Sequence, residues 1–183
     1  MPRFIALLRA INVGGHTVKM DRLRQLFAEL GFSNVETLIA SGNVLFESPG
    51  RSGPALEKKI AQHLEESLGY AVVTFIRSGA ELAAVARHRP FPAAELAAEG
   101  SALYVAFLPR PPSAEAKRKL MALRSEGDDF HVRGREAFWL RHGKMSESAF
   151  SPARLEKTLG MPATLRNVTT VRKLASRCPA PPR

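Results

Sequence analysis

Near the start of the chain, the segment LLRAINVGGHTVKM (residues 7–20) places a cation, Arg9, and an amide, Asn12, ahead of the pair Gly14–Gly15 and of Lys19. An apolar run gives way here to helical periodicity. Glycines let backbone N–H groups turn outward or approach a ligand closely. A helix N-terminus just beyond favours an anion, and Lys19 adds charge beside it. Ser41–Gly42–Asn43 offers a second polar turn between two apolar segments. Together these residues suit a small anionic pocket or a phosphate contact.

The competing reading is structural. Gly14–Gly15 need only make a turn, Arg9 can satisfy a buried carboxylate or carbonyls, and Asn12 and Asn43 can bond loop backbone as asparagine commonly does. The spacing is neither a P-loop nor a dinucleotide fingerprint. The five histidines, at 16, 63, 88, 131 and 142, show no metal-ligand spacing, and no cofactor motif is present, so neither a metal nor a cofactor is expected. His16, inside the glycine loop, is the one candidate acid or base. Asp128–Asp129 reads as a turn. Trp139 reads as hairpin packing, with Arg133, Arg135, Arg141 and Lys144 along an exposed hairpin face that would be the best nucleic-acid footprint. The segment ATLRNVTTVRKLA repeats the opening chemistry: a short apolar strand, Arg166, Asn167 as a helix N-cap, and Lys173 beyond.

The elements that must hold these residues follow from periodicity. Residues 1–13 give an apolar strand, and Leu23, Leu26, Phe27 and Leu30 a helix stopped by Gly31. Residues 34–40 and 43–47 read as paired strands, Leu56, Ile60, Leu64 and Leu68 as a helical stripe, and residues 71–76 as a fourth strand. This β-α-β-β-α-β order is the ferredoxin-like unit. In strand order 4-1-3-2 the first two strands run parallel, so the Gly14–Gly15 loop and the Ser41–Asn43 hairpin leave the same end of the sheet. A linking helix and loop over 79–100 follows, and the order then recurs: strands at 102–108, 130–133, 137–140 and 163–166, helices at 115–124 and 152–159, and a closing helix after Asn167. The expected fold is α+β: two ferredoxin-like subdomains, 1–78 and 101–183, packed together, with a C-terminal helix and a short frayed tail.

Length and composition fit a globular chain of 183 residues, 45% hydrophobic. No stretch approaches a membrane span, and the first residues lack the layout of a signal peptide. The single cysteine, Cys178, excludes an intrachain disulfide and reads as an incidental thiol. A cytoplasmic location without a membrane partner is the simplest fit. The net charge of +10 is uneven: residues 1–90 carry 11 basic and 8 acidic side chains, a net +3, and residues 91–183 carry 16 and 9, a net +7. That asymmetry raises nucleic acid as a partner, although the basic residues form no dense run with interleaved aromatics.

LLRAINVGG…VKM, LGFSNVETLIASGNVLFES and EKTLGMPATLRNVTTVRKLA resemble an uncharacterised bacterial family catalogued as a domain of unknown function, number 1697. The resemblance spans nearly the whole chain and implies two α+β subdomains. It implies no activity, substrate or catalytic residue. Val168 and Thr169 stand where the family pattern has a tryptophan and an asparagine.

Three functions remain open on the sequence: an anion-binding protein using Arg9, Asn12, Gly14, Gly15, Lys19, Ser41 and Asn43; a nucleic-acid binder using the basic second half; and an enzyme using Arg9, His16 or Lys19 on a phosphorylated small molecule. Oligomeric state is not legible.

Overall fold

The computed structural model describes residues 1–12, 14–39, 42–51, 53–144 and 148–179. The chain divides into two units, one formed by residues 1–86 with the end of the chain from Arg172, the other by residues 87–171.

The first unit opens with β1 (Arg3–Leu8), followed by α1 (Met20–Glu29), β2 (Ser33–Thr37), β3 (Asn43–Glu47), α2 (Pro54–Leu68), β4 (Thr74–Ser78) and α3 (Gly79–Arg87). Its sheet is antiparallel in the order β2-β3-β1-β4, the ferredoxin-like arrangement. β1 stops at Leu8, five residues short of the apolar run that predicts it, because Ala10 turns into the left-handed region at φ 55°. One sheet face, with Phe4, Ala6, Leu8, Val44, Phe46 and Ile76, packs under Leu23, Leu26 and Phe27 of α1 and Ile60 and Leu64 of α2. The opposite-face residues Ile5, Leu7, Leu45, Phe75 and Arg77 are also fully buried. β1 therefore reads as an unbroken apolar run instead of an alternating one. Pro54 stands in the first turn of α2, where its missing N–H costs nothing, and Gly69 ends the helix in the left-handed conformation.

The second unit holds α4 (Ala93–Ala97), β5 (Ser101–Phe107), α5 (Ala114–Met121), β6 (Asp128–Arg133), β7 (Glu136–His142), α6 (Pro152–Leu159) and β8 (Thr164–Asn167). Its sheet runs β6-β7-β5-β8, the order of the first sheet again. The duplication extends to register: Ala6 lies between Val44 and Ile76, and Ala106 between Ala137 and Leu165. α7 (Val168–Arg177) begins at the end of the second unit and continues into the first. Tyr104, Phe130, Trp139, Phe150, Leu155 and Leu159 share the second core. α4, one short helix, is absent from the sequence reading; its mostly exposed side chains leave no stripe to detect.

Two readings of the second half are corrected. Asp128 and Asp129 are not a turn but the first residues of β6. Asp128 is buried, accepting from Trp139 Nε1 at 2.8 Å, Ser148 Oγ at 2.8 Å and Arg141 Nη1 at 3.4 Å. Arg141 therefore does not line an exposed hairpin face. It is buried, and also donates to the Gly127 carbonyl at 3.0 Å and, through Nε, to that of Lys144 at 3.2 Å. Residues 180–183 of the tail expected to fray lie outside the described residues; ahead of them stands Cys178. It is fully buried, and its carbonyl lies where a Cβ on Gly79 would have to sit, at 2.3 Å.

Candidate functional site

The two loops singled out by residue type leave the same end of the first sheet. The N–H of Leu8 donates to the carbonyl of Gly42 at 2.7 Å, tying the exit of β1 to the β2–β3 hairpin. Arg9 follows at once, half-buried, its own N–H bonded to the Val73 carbonyl at 2.9 Å. The chain then reverses through Ala10, and Gly14 and Gly15 sit at φ 65° and 83°. Both glycines are exposed, and a Cβ on either would meet nothing within 4 Å. Their positive φ is a backbone requirement, and no packing requires their smallness.

Asn12, though exposed, braces the loop: its Oδ1 accepts the N–H of Val18 at 2.6 Å. Lys19 occupies the N-cap of α1 and is exposed, but supplies no side-chain cap. The positive end of the α1 dipole therefore stays uncapped at the mouth of the loop. Asp21 in the first turn is drawn into a pair with Arg24, which also reaches Thr37 Oγ1 at 2.7 Å. His16 is exposed and stacks on the Tyr70 ring with centroids 3.8 Å apart. The Tyr70 hydroxyl donates to the Ile11 carbonyl at 2.8 Å, and partial burial raises its pKa.

On the hairpin side, Asn43 is buried, its Nδ2 donating to the carbonyls of Leu38 at 3.1 Å and Ile39 at 3.3 Å. It holds the turn closed. Ile39, 41% exposed, has φ 54°, a conformation that β-branched residues avoid. Ser41 lies outside the described residues.

The second unit supplies an internal reference for these loops. There the equivalent ladder bond, Leu108 N–H to the Arg135 carbonyl at 2.9 Å, is followed by a short proline-rich connection over 108–113. Its α5 is capped by Ser113 Oγ, which accepts the Ala116 N–H at 3.1 Å. The hairpin there is a two-residue turn, Gly134–Arg135, against 38–42 in the first unit. The same topology thus closes with less chain and a capped helix. The longer loops of the first unit, with their backbone strain and uncapped helix, are additions the fold does not need.

The second junction differs. Burial lowers the Arg166 pKa to about 10, which leaves it cationic at neutral pH. Its Nη1 donates to Thr164 Oγ1 at 2.7 Å and to the Leu165 carbonyl at 2.9 Å. Asn167 Oδ1 accepts the Thr169 N–H at 2.9 Å, as a cap should, and Lys173 is exposed on α7. Among the described residues no group of three or more His, Cys, Asp or Glu could hold a metal ion, and no helix is long and apolar enough to cross a membrane.

A model of a family described as "Protein of unknown function (DUF1697)" matches residues 1–138. The solved structure of the conserved bacterial protein SP0830 from Streptococcus pneumoniae is similar over 97% of this chain and 99% of that one, with a TM-score of 0.71 at 21% identity. That likeness concerns the fold. No curated protein matches.

Proposed function

The chain belongs to the DUF1697 family of proteins of unknown function, and from its geometry we propose that it binds a small anionic, phosphate-containing ligand where the β1–α1 loop meets the β2–β3 hairpin. The observation that carries this is the placement of unfavourable backbone. Of three described non-glycine residues with positive φ, two, Ala10 and Ile39, lie in these two loops. The third, Asn34, is of a residue type that tolerates the conformation. Strain of this kind persists where surrounding structure over-determines it and gathers at ligand sites.

Roles divide accordingly. Gly14, Gly15 and the α1 N-terminus offer backbone donors, Lys19 offers an exposed charge, and Arg9, half-buried at the exit of β1, offers a further cation. Asn12 and Asn43 act as positioning residues, since each is engaged in holding its loop. Ser41 belongs to the proposed site by sequence position. A cytoplasmic location accompanies this reading, supported by a chain whose one thiol is buried and unpaired.

A thermal-shift titration with inorganic phosphate and nucleoside phosphates tests it, because a ligand selective for the native state raises the unfolding temperature by mass action. Lys19→Glu should abolish the shift without lowering the stability of the free protein, since Lys19 is exposed and makes no side-chain cap. A shift unchanged by Lys19→Glu refutes the assignment. Turnover assays on any hit then separate binding from catalysis.

A further inference from the structure

In the second unit, α5 and α6 leave between them a groove of about 700 Å³ lined by Lys119, Ala122, Leu123, Ala153, Arg154, Lys157 and Thr158. Its volume lies in the range of small-molecule sites, and its chemistry is divided. Ala122, Leu123 and Ala153 give an apolar floor, while the charged residues lining it, Lys119, Arg154 and Lys157, are all cations and all exposed.

Neighbouring acids do little to cancel them. Glu115 pairs with Lys119 at 3.1 Å, but both side chains are more than 60% exposed, where such pairs contribute little. Glu156 is turned to the Ala163 N–H at 3.0 Å. Arg154 makes one 3.3 Å bond to the Ala149 carbonyl, and Lys157 has no ion pair among the described residues.

In the corresponding seam of the first unit, side chains reach from one helix to the other. There His63 Nε2 meets Glu29 at 3.0 Å across α1 and α2, and Lys59 reaches the Leu30 carbonyl while lying 5.4 Å from the centre of the Phe32 ring. α6 is 8 residues long against 15 for α2. In the second seam, apolar floor and exposed cations lie side by side.

We propose that the α5–α6 groove binds a free single-chain amphiphilic anion, its apolar body on the Ala122–Leu123–Ala153 floor and its carboxylate or phosphate head among Lys119, Arg154 and Lys157. The charge complementarity selects the head group, and the small floor residues leave room for one chain. This site is separate from the anion site of the first unit and does not depend on it.

Isothermal titration of the full chain with decanoate and decyl phosphate tests the proposal, with decyltrimethylammonium, butyrate and anionic phosphatidylglycerol vesicles as the other arms. Saturable binding of one or both decyl anions is expected. It should weaken at least about tenfold in Lys157→Glu, the factor expected for loss of a charge-assisted contact, and similarly in Ala153→Phe, which fills the floor. Both positions are exposed, so both variants should fold, and Lys19→Glu should bind as wild type. Equal binding of the cationic amphiphile, binding unaffected by both groove variants, or saturation only on vesicles overturns the proposal.

Discussion

Asp128→Ala should destabilise the second unit severely. The wild-type carboxylate is buried and accepts from the Trp139 indole, the Ser148 hydroxyl and the Arg141 guanidinium. Removing it orphans a buried indole N–H and takes the one carboxylate partner among the described residues from an arginine whose side chain is 8% exposed. Breaking a buried ion pair from one side costs about 3–5 kcal/mol. Arg141 keeps its carbonyl partners at Gly127 and Lys144, which places the expectation near the lower end, about 3 kcal/mol. With a urea slope of about 1.5 kcal/mol/M, that moves the midpoint down by about 2 M. Trp139 is the only tryptophan of the chain, so its fluorescence reports this unit directly, whether or not the two units unfold together. Asp128→Asn, which keeps an acceptor for the indole, should lose less. A midpoint for Asp128→Ala within about 0.5 M of wild type, a loss of under about 1 kcal/mol at that slope, would refute the reasoning.

Further outcomes follow from the same contacts. Gly79→Ala should cost about 1–3 kcal/mol in denaturant unfolding, since its Cβ would meet backbone atoms of Cys178 and Pro179 at 2.3–3.1 Å that cannot rotate away. Asn43→Asp should destabilise by more than about 1 kcal/mol, the cost of losing a buried hydrogen bond, because it sets a carboxylate against the Leu38 and Ile39 carbonyls; a neutral result would contradict its hairpin-holding role. Burial, then Arg133 and His131, lowers the His88 pKa. The unfolded chain therefore binds more protons just below its ordinary value of about 6.5, and stability should fall on acidification through that window. Unfolding midpoints followed from pH 7 to pH 5 should show the loss, and His88→Gln should flatten it.

Much of the fold was legible because its elements obey simple periods. Leu23, Leu26 and Phe27 mark α1, Gly69 and Gly160 end α2 and α6, and the β-α-β-β-α-β order appears twice. What failed to show was polar burial. Asp128–Asp129 carries the composition of a turn, and only the distant Trp139, Arg141 and Ser148 make a strand position tolerable for Asp128. Arg77, fully buried in β4, likewise announces nothing in sequence. Cys178 read only as an incidental thiol because the close approach that buries it is made possible by Gly79, 99 residues earlier. At the candidate site the pairing of the two loops followed from topology. Their strain did not, because nothing in the letters of Ala10 or Ile39 signals a positive φ. The α5–α6 groove was also hidden, since it is lined by residues of two helices more than thirty positions apart.

The most direct test of the proposed anion site is a ¹H–¹⁵N NMR titration with inorganic phosphate, followed by the tightest nucleoside phosphate from the thermal screen. Saturable shifts concentrated in the amides of Gly14, Gly15, Lys19, Met20 and Gly42, and absent in Lys19→Glu, are the predicted result. Shifts confined to other parts of the chain, or none in this loop at saturating ligand, would contradict it.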